Sequence, residues 1–346
     1  PIIFFDAMED IKMKKLIKSV MLGLAVFGAV SAAFAAPKGK AKSLILATKF
    51  LDSEETAISL RKVEKAINER GKSCNLSIKM YPGLTYAKAA DCMEQITQGA
   101  NVISCDGINF IAEYVPDYDA VTGPMLYANM AEYLAMTKTK LVQDLNVKAA
   151  KQGIHILSLD YVFGFRSMMT NKVIAKPADM KGLKIRVPES KVYAYTLEAL
   201  GATPIAMPYT ETYSAIQQKV IDGVEGSIST YWGTKQYENV KNYSLTNHIL
   251  AVSGIAMSES YWKKLTKEQQ QILTEEFAKG AKDLYDVTMA KEGEMLKKLE
   301  GVGVKVNTVD TPAFSKACAP VYDKFPKWTP GIFDKIQAEL TKIRAK

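Results

Sequence analysis

The chain has 346 residues, 48% of them apolar and 24% charged, with a formal net charge of +8. That is more chain than one small core absorbs and enough for two lobes. The positive balance favours anionic partners through long-range attraction. The lysines, however, are scattered over predicted helix faces with no basic run and no nucleic-acid motif, so a nucleic-acid partner is not expected.

The first 35 residues carry an export pattern. Lys12, Lys14, Lys15 and Lys18 precede an apolar run from Val20 to Val30, too short to span a bilayer. Ala33-Phe34-Ala35 fits a small-x-small cleavage site, which places the mature start at Ala36 and makes the protein periplasmic. Met13 reads as the natural start, and residues 1–12 as upstream sequence. The segment carries a net +1, which leaves +7 on the mature chain.

Residues 43–48 (SLILAT) read as a buried strand, 55–70 as a helix with Ile58, Val63, Ala66 and Ile67 on one face, and 76–81 (LSIKMY) as an alternating strand. A helix through Ile96 and a strand over 101–105 complete a strand-helix-strand-helix-strand order, which implies parallel pairing in an α/β sheet. Ligands in such sheets sit beyond the carboxyl ends of the strands, which directs attention to residues 48–55, 81–86 and 105–109. A helix over 132–152, a strand over 154–160 and Gly164-Phe165-Arg166 follow. Further on come a long helix over 267–299 with Thr266 as N-cap, a short strand over 304–306, and closing helices over 313–325 and 331–345. Cys74, Cys92, Cys105 and Cys318 form no C-x-x-C pair; buried single thiols are the default reading, although export permits disulfides.

The most informative stretch is 181–227. Lys184 to Val187 form a strand whose Ile185 and Val187 point one way and Arg186 the other. An Arg among apolar strand residues needs an anion, either a ligand or an acidic side chain of the protein. Gly182 to Pro188, Leu200 to Pro204, Met207-Pro208, Tyr213 to Gln217 and Ile221 to Gly223 together resemble the hallmark block of the TRAP transporter periplasmic solute-binding proteins (the DctP family), which serve tripartite carriers of organic acids. The weaker resemblance runs from Leu44 to about Val306.

That resemblance implies a two-lobed periplasmic binding protein fold of α/β class, type II-like, with a mixed or parallel sheet in each lobe and a long lobe-bridging helix. The expected lobes are 36–163 with 252–291, and 164–251 with 292–346. It implies a receptor that closes over an organic acid, a mono- or dicarboxylate, and delivers it to the small and large integral membrane subunits of a TRAP transporter. It assigns the carboxylate to Arg186, a second pocket role to Arg166, and a supporting hydrogen-bonding role to Glu225. The family's usual Asn is here Gly226; Ser227 or a backbone N–H compensates, or the ligand is bulkier there. Phe165, Tyr209, Tyr231 and Trp232, with Tyr161, are candidate cleft walls, each competing with a core role. Asp106 meets a ligand hydroxyl or serves only as a turn residue. Asp52, Glu54 and Glu55 read as acids at a helix N-terminus.

No cofactor or metal is expected: Gly301-Val302-Gly303 lacks the context of a dinucleotide loop, and no His lies at metal-ligand spacing. His155 and His248 are the only near-neutral bases, and no nucleophile motif is present, so catalysis is not expected. A periplasmic enzyme or a sensor-input protein on the same fold is the alternative.

Overall fold

The computed structural model describes residues 40–345. The expected export segment lies outside them. Strands β1 (Lys42–Thr48), β2 (Leu76–Tyr81) and β3 (Val102–Gly107) alternate with helices α1 (Glu55–Arg70) and α2 (Ala89–Thr97). Both β2 and β3 pair with β1 in parallel. The central β1 buries Leu44, Leu46 and Ala47 between layers, whereas β2, at the sheet edge, alternates Leu76, Ile78 and Met80 inward with Ser77 and Lys79 outward.

The expected helix over 132–152 is two helices, α3 (Met130–Thr137) and α4 (Lys140–Lys151). The break falls at Thr139, whose hydroxyl accepts from the Val142 amide and so starts a new helix. The strand expected to end at Asp160 continues as β4 (Ile154–Thr170), with four register shifts along its pairing with β8 (Asn242–Ser258). Between them lie β5 (Lys184–Val187), α5 (Lys191–Ala199), β6 (Thr203–Ala206), α6 (Thr212–Gln217), β7 (Gly223–Gly226) and α7 (Ile228–Gly233). Beyond β8 come α8 (Lys267–Gly301), β9 (Lys305–Asn307), α9 (Thr311–Cys318) and α10 (Ile332–Arg344).

The sheet order is β2-β1-β3-β8-β4-β7-β5-β6, with β9 beside β8. The carboxyl half of β8 pairs with β3, and its amino half pairs with β9. Both long strands therefore belong to two lobe sheets at once. Each lobe has a core on either face of its sheet. In the first, α1 and α8 cover Leu44, Leu46 and Ile103, while α2, α3 and α10 cover Val102 and Val252. In the second, α5 and α9 cover Ile185 and Val187, while α6, α7 and the end of α8 cover Val224 and Tyr243.

Helix α8 bridges the lobes, burying Ile272, Phe277 and Leu284 in one core and Met295 and Leu299 in another. Its 35 residues span about 50 Å. A reciprocal capping box joins Thr266 and Gln269 at its start. Gly280 lets it approach α1 and β4: a Cβ there would stand 2.4 Å from Val63 and 2.5 Å from the Tyr161 hydroxyl. Helix α10, expected in the second lobe, packs instead in the first, because its apolar face of Ile332, Ile336 and Leu340 meets Tyr118 and Tyr133, and Arg344 pairs with Glu132 at 2.9 Å. The four cysteines are buried free thiols. Among the described residues no helix is long and apolar enough to cross a membrane.

Candidate functional site

A cleft of about 910 Å³, mouth included, opens where the carboxyl ends of β1, β3 and β5 converge. Its second-lobe wall is built on β5. Ile185 and Val187 are fully buried in the core beneath α5, so strand alternation sends Arg186 to the opposite face, where it lines the cleft at 6% exposure. Its guanidinium donates from Nε (3.1 Å) and Nη2 (2.8 Å) to the Met207 carbonyl and lies 5.8 Å from the Tyr209 ring centre. Among the described residues no carboxylate is ion-paired to it. Burial lowers its pKa to about 10, partly offset by Glu225 and reinforced by the like charge of Arg166.

Arg166, on β4, is placed beside it but is already satisfied. It forms a bidentate pair with Glu225 of β7, also donates to the Glu225 carbonyl at 3.1 Å, and stacks on Tyr193 at 4.9 Å. Burial, the largest single effect, would raise Glu225; the Arg166 charge, the Arg166 hydrogen bonds and His248 together outweigh it and hold the carboxylate at about 2. His248 Nε2 stands 3.5 Å from the same carboxylate, while Nδ1 meets the Thr246 hydroxyl at 2.8 Å. Burial lowers the His248 pKa despite Glu225, so the ring stays neutral.

The first-lobe wall comes from the loops after β1 and β3. Lys49 Nζ pairs with Asp106 at 2.9 Å, and the Gly107 amide donates to the same carboxylate oxygen at 2.7 Å. Asn109 is 5% exposed, lines the cleft, and its Nδ2 has no hydrogen-bond partner. Gly107 leaves room for Asn109 as placed: a Cβ would stand 2.2 Å from Asn109 Oδ1 and displace that side chain.

A polar seam joins the lobes beside the cleft. Glu54, a residue before α1, accepts from the Leu51 amide at 2.9 Å and from the Tyr209 hydroxyl at 2.8 Å, while the Ser53 hydroxyl donates to the Gly233 carbonyl at 2.9 Å. Burial raises Glu54 to about 7 against its hydrogen bonds and Lys49. Glu54 is thus more than an acid at a helix start, whereas Asp52 and Glu55 pair with Arg61 and Lys291.

Of the residues singled out on sequence, Arg186, Arg166, Glu225, Tyr209 and Asp106 line this cleft. The others do not. Ser227 is fully buried and caps α7 by accepting from the Thr230 amide at 3.3 Å. Tyr231 is core, its hydroxyl bonded to the Val240 carbonyl and its ring stacked on Tyr243. Trp232 stacks on Tyr237 at 4.9 Å, and Phe165 packs against the first-lobe core. The aromatic walls are instead Phe50, Phe110, Phe163 and Tyr193. The strand-end rule reached Phe50 and Asn109, whereas Lys88 and Gln236 gave no signal in the sequence.

Residues 47–327 match the model of the bacterial extracellular solute-binding protein family 7. The chain belongs to that family. A TRAP periplasmic solute-binding protein from a Fusobacterium, solved with sn-glycerol 3-phosphate, is 54% identical, with 88% of this chain and 99% of that one aligned at a TM-score of 0.87. One from Desulfovibrio salexigens, in complex with diglycerolphosphate, is 40% identical over 88% and 98% of the two chains at 0.86. The 2,3-diketo-L-gulonate-binding periplasmic protein of Escherichia coli is 27% identical over 91% of this chain and 96% of its own. The protein is accordingly a TRAP-type solute receptor with the two-lobed periplasmic binding fold, and such relatives are receptors rather than enzymes.

Proposed function

We propose that the solute is a small hydroxylated phosphate ester of the glycerol phosphate class, held in the cleft without turnover. The observation that carries this is Arg186: a buried guanidinium with no carboxylate partner requires an external anion, and its planar fork suits phosphate and carboxylate oxygens alike. The two relatives bound to glycerol phosphates are 54% and 40% identical, against 27% for the sugar-acid receptor, and this favours the phosphate. This departs from the mono- or dicarboxylate expected on sequence and keeps only its anionic character.

Binding on Arg186 beneath Tyr209 favours the Glu54–Tyr209 seam and hence the closed form, which the small and large membrane subunits would receive. Export would follow from the segment ending at Ala35. The lobes would comprise 36–163 with 252–291 and the closing helix 332–344, and 164–251 with 292–331.

Isothermal titration over glycerol phosphates, sugar acids and dicarboxylates tests the reading. A Kd of micromolar or tighter, about 8 kcal/mol, is expected for sn-glycerol 3-phosphate. Saturation at 100 times Kd adds about 2.7 kcal/mol to stability. Response to neutral sugars alone, or to dicarboxylates in preference to phosphates, would overturn it.

A further inference from the structure

We propose that Asp106, Lys49 and Asn109 form a hydroxyl seat on the first-lobe wall, which selects solutes with hydroxyl groups at the end opposite their anionic group. This rests on the reading that the anion sits on Arg186, whether it is a phosphate or a carboxylate.

Three observations carry it. Asn109 Nδ2 is an N–H donor with no protein acceptor, buried at a cleft-lining position, and such a group is costly to leave unmade. Asp106 takes both Lys49 and the Gly107 amide on Oδ1, and its Oδ2 accepts no hydrogen bond among the described residues. Lys49 neutralises the carboxylate, so the buried seat itself offers one acceptor and one donor, with Lys88 exposed at the rim of the same wall.

A hydroxyl satisfies that arrangement, since its oxygen accepts from Asn109 while its hydrogen is donated to Asp106. A second anionic group does not, because an ionised carboxylate carries no hydrogen to donate to Asp106 Oδ2. Arg186 is a buried cation, whereas Lys88 on the Asp106 side and Glu189 on the Arg186 side are solvent-exposed at the rim, so the buried anion site and the hydroxyl seat distinguish the two ends of the solute. Dicarboxylates with two like ends are discriminated against, although Arg186 alone would accept them.

The test uses two matched pairs measured by isothermal titration on the full receptor: sn-glycerol 3-phosphate against n-propyl phosphate, and glycerate against propionate. A site built around a hydroxyl rejects the analogue lacking it by large factors, so a preference of at least about 100-fold is expected in the pair whose anion is accepted. Asn109→Leu should weaken the hydroxylated member about tenfold or more and leave the deoxy member within about threefold. Asp106→Asn should narrow the gap between the hydroxylated ligand and succinate.

Equal binding within an accepted pair overturns the seat, even if Asn109→Leu fails to fold. So does an unchanged ratio in a folded Asn109→Leu protein. If neither phosphate binds but glycerate is preferred to propionate, the phosphate reading falls and the hydroxyl seat stands. Binding of neither pair overturns both.

Discussion

Arg166 and Arg186 occupy the same cleft wall, both nearly buried, and do opposite things. Arg166 has its charge cancelled by Glu225, with Tyr193 stacked on its face. Arg186 has only a backbone carbonyl and an aromatic ring. Two buried guanidiniums of equal chemistry thus divide into one that is ion-paired and one that, on the proposed reading, receives the solute, and what divides them is the placement of one carboxylate. Electrostatic need, more than residue type, marks the binding group.

The sharpest way to break this contrast is to remove the carboxylate. Glu225→Ala strands Arg166 and should cost about 3–5 kcal/mol of ligand-free stability in chemical denaturation. Unaltered stability would show that Arg166 is not held by the pair. Arg186→Ala should do the reverse: solute affinity falls about 100-fold, about 2.7 kcal/mol, while ligand-free stability does not drop, because an uncompensated buried charge is lost. A receptor that is destabilised yet still binds would exchange the two roles.

A smaller effect separates the seam from the anion site. Glu54 has a folded pKa near 7, raised from 4.5, so its contribution is full below 4.5 and is lost as pH rises through 7. Stability should therefore fall by about 1 kcal/mol between pH 6 and 8 on its account, and Glu54→Gln should remove that slope. Asp119, raised to about 7 by burial and by Glu113, adds a slope of the same sign, which Asp119→Asn isolates. If neither substitution flattens the profile, both carboxyls are solvated. The mildest change is Ser227→Ala, which should cost about 1 kcal/mol through the α7 cap and leave affinity within about twofold. A large loss of affinity would return Ser227 to the site.

Local pattern carried much of the fold. The strands β1 and β2, helix α1, the Arg186 strand and the start of α8 stand where periodicity, caps and turns put them. The full lengths of β4 and β8 were not legible. Their pairing shifts register at Ile156/Ser158, Ser158/Tyr161, Val162/Phe165 and Arg166/Met168, which disrupts the two-residue alternation, and β8 is buried along almost all of its length. Within the site, Arg186, Arg166, Glu225, Tyr209 and Asp106 were anticipated. Ser227, Tyr231, Trp232 and Phe165 were not distinguished from core and capping residues, because an aromatic or a serine beside a cleft has the same local pattern as one packed behind it. Asn109 and Lys49 matter only through contacts that the folded chain creates.

The shared strands β4 and β8 also bear on how such a receptor moves. The two halves are joined by the paired ribbon of β4 and β8, which shifts register four times, and Arg166 stands at one of those shifts. A flexing of the ribbon at that point would move Arg166 and, through their bidentate pair, Glu225. If solute binds on Arg186 as proposed, its neighbour Arg166 lies on the same strand that joins the two halves, so cargo and crossing point share one element.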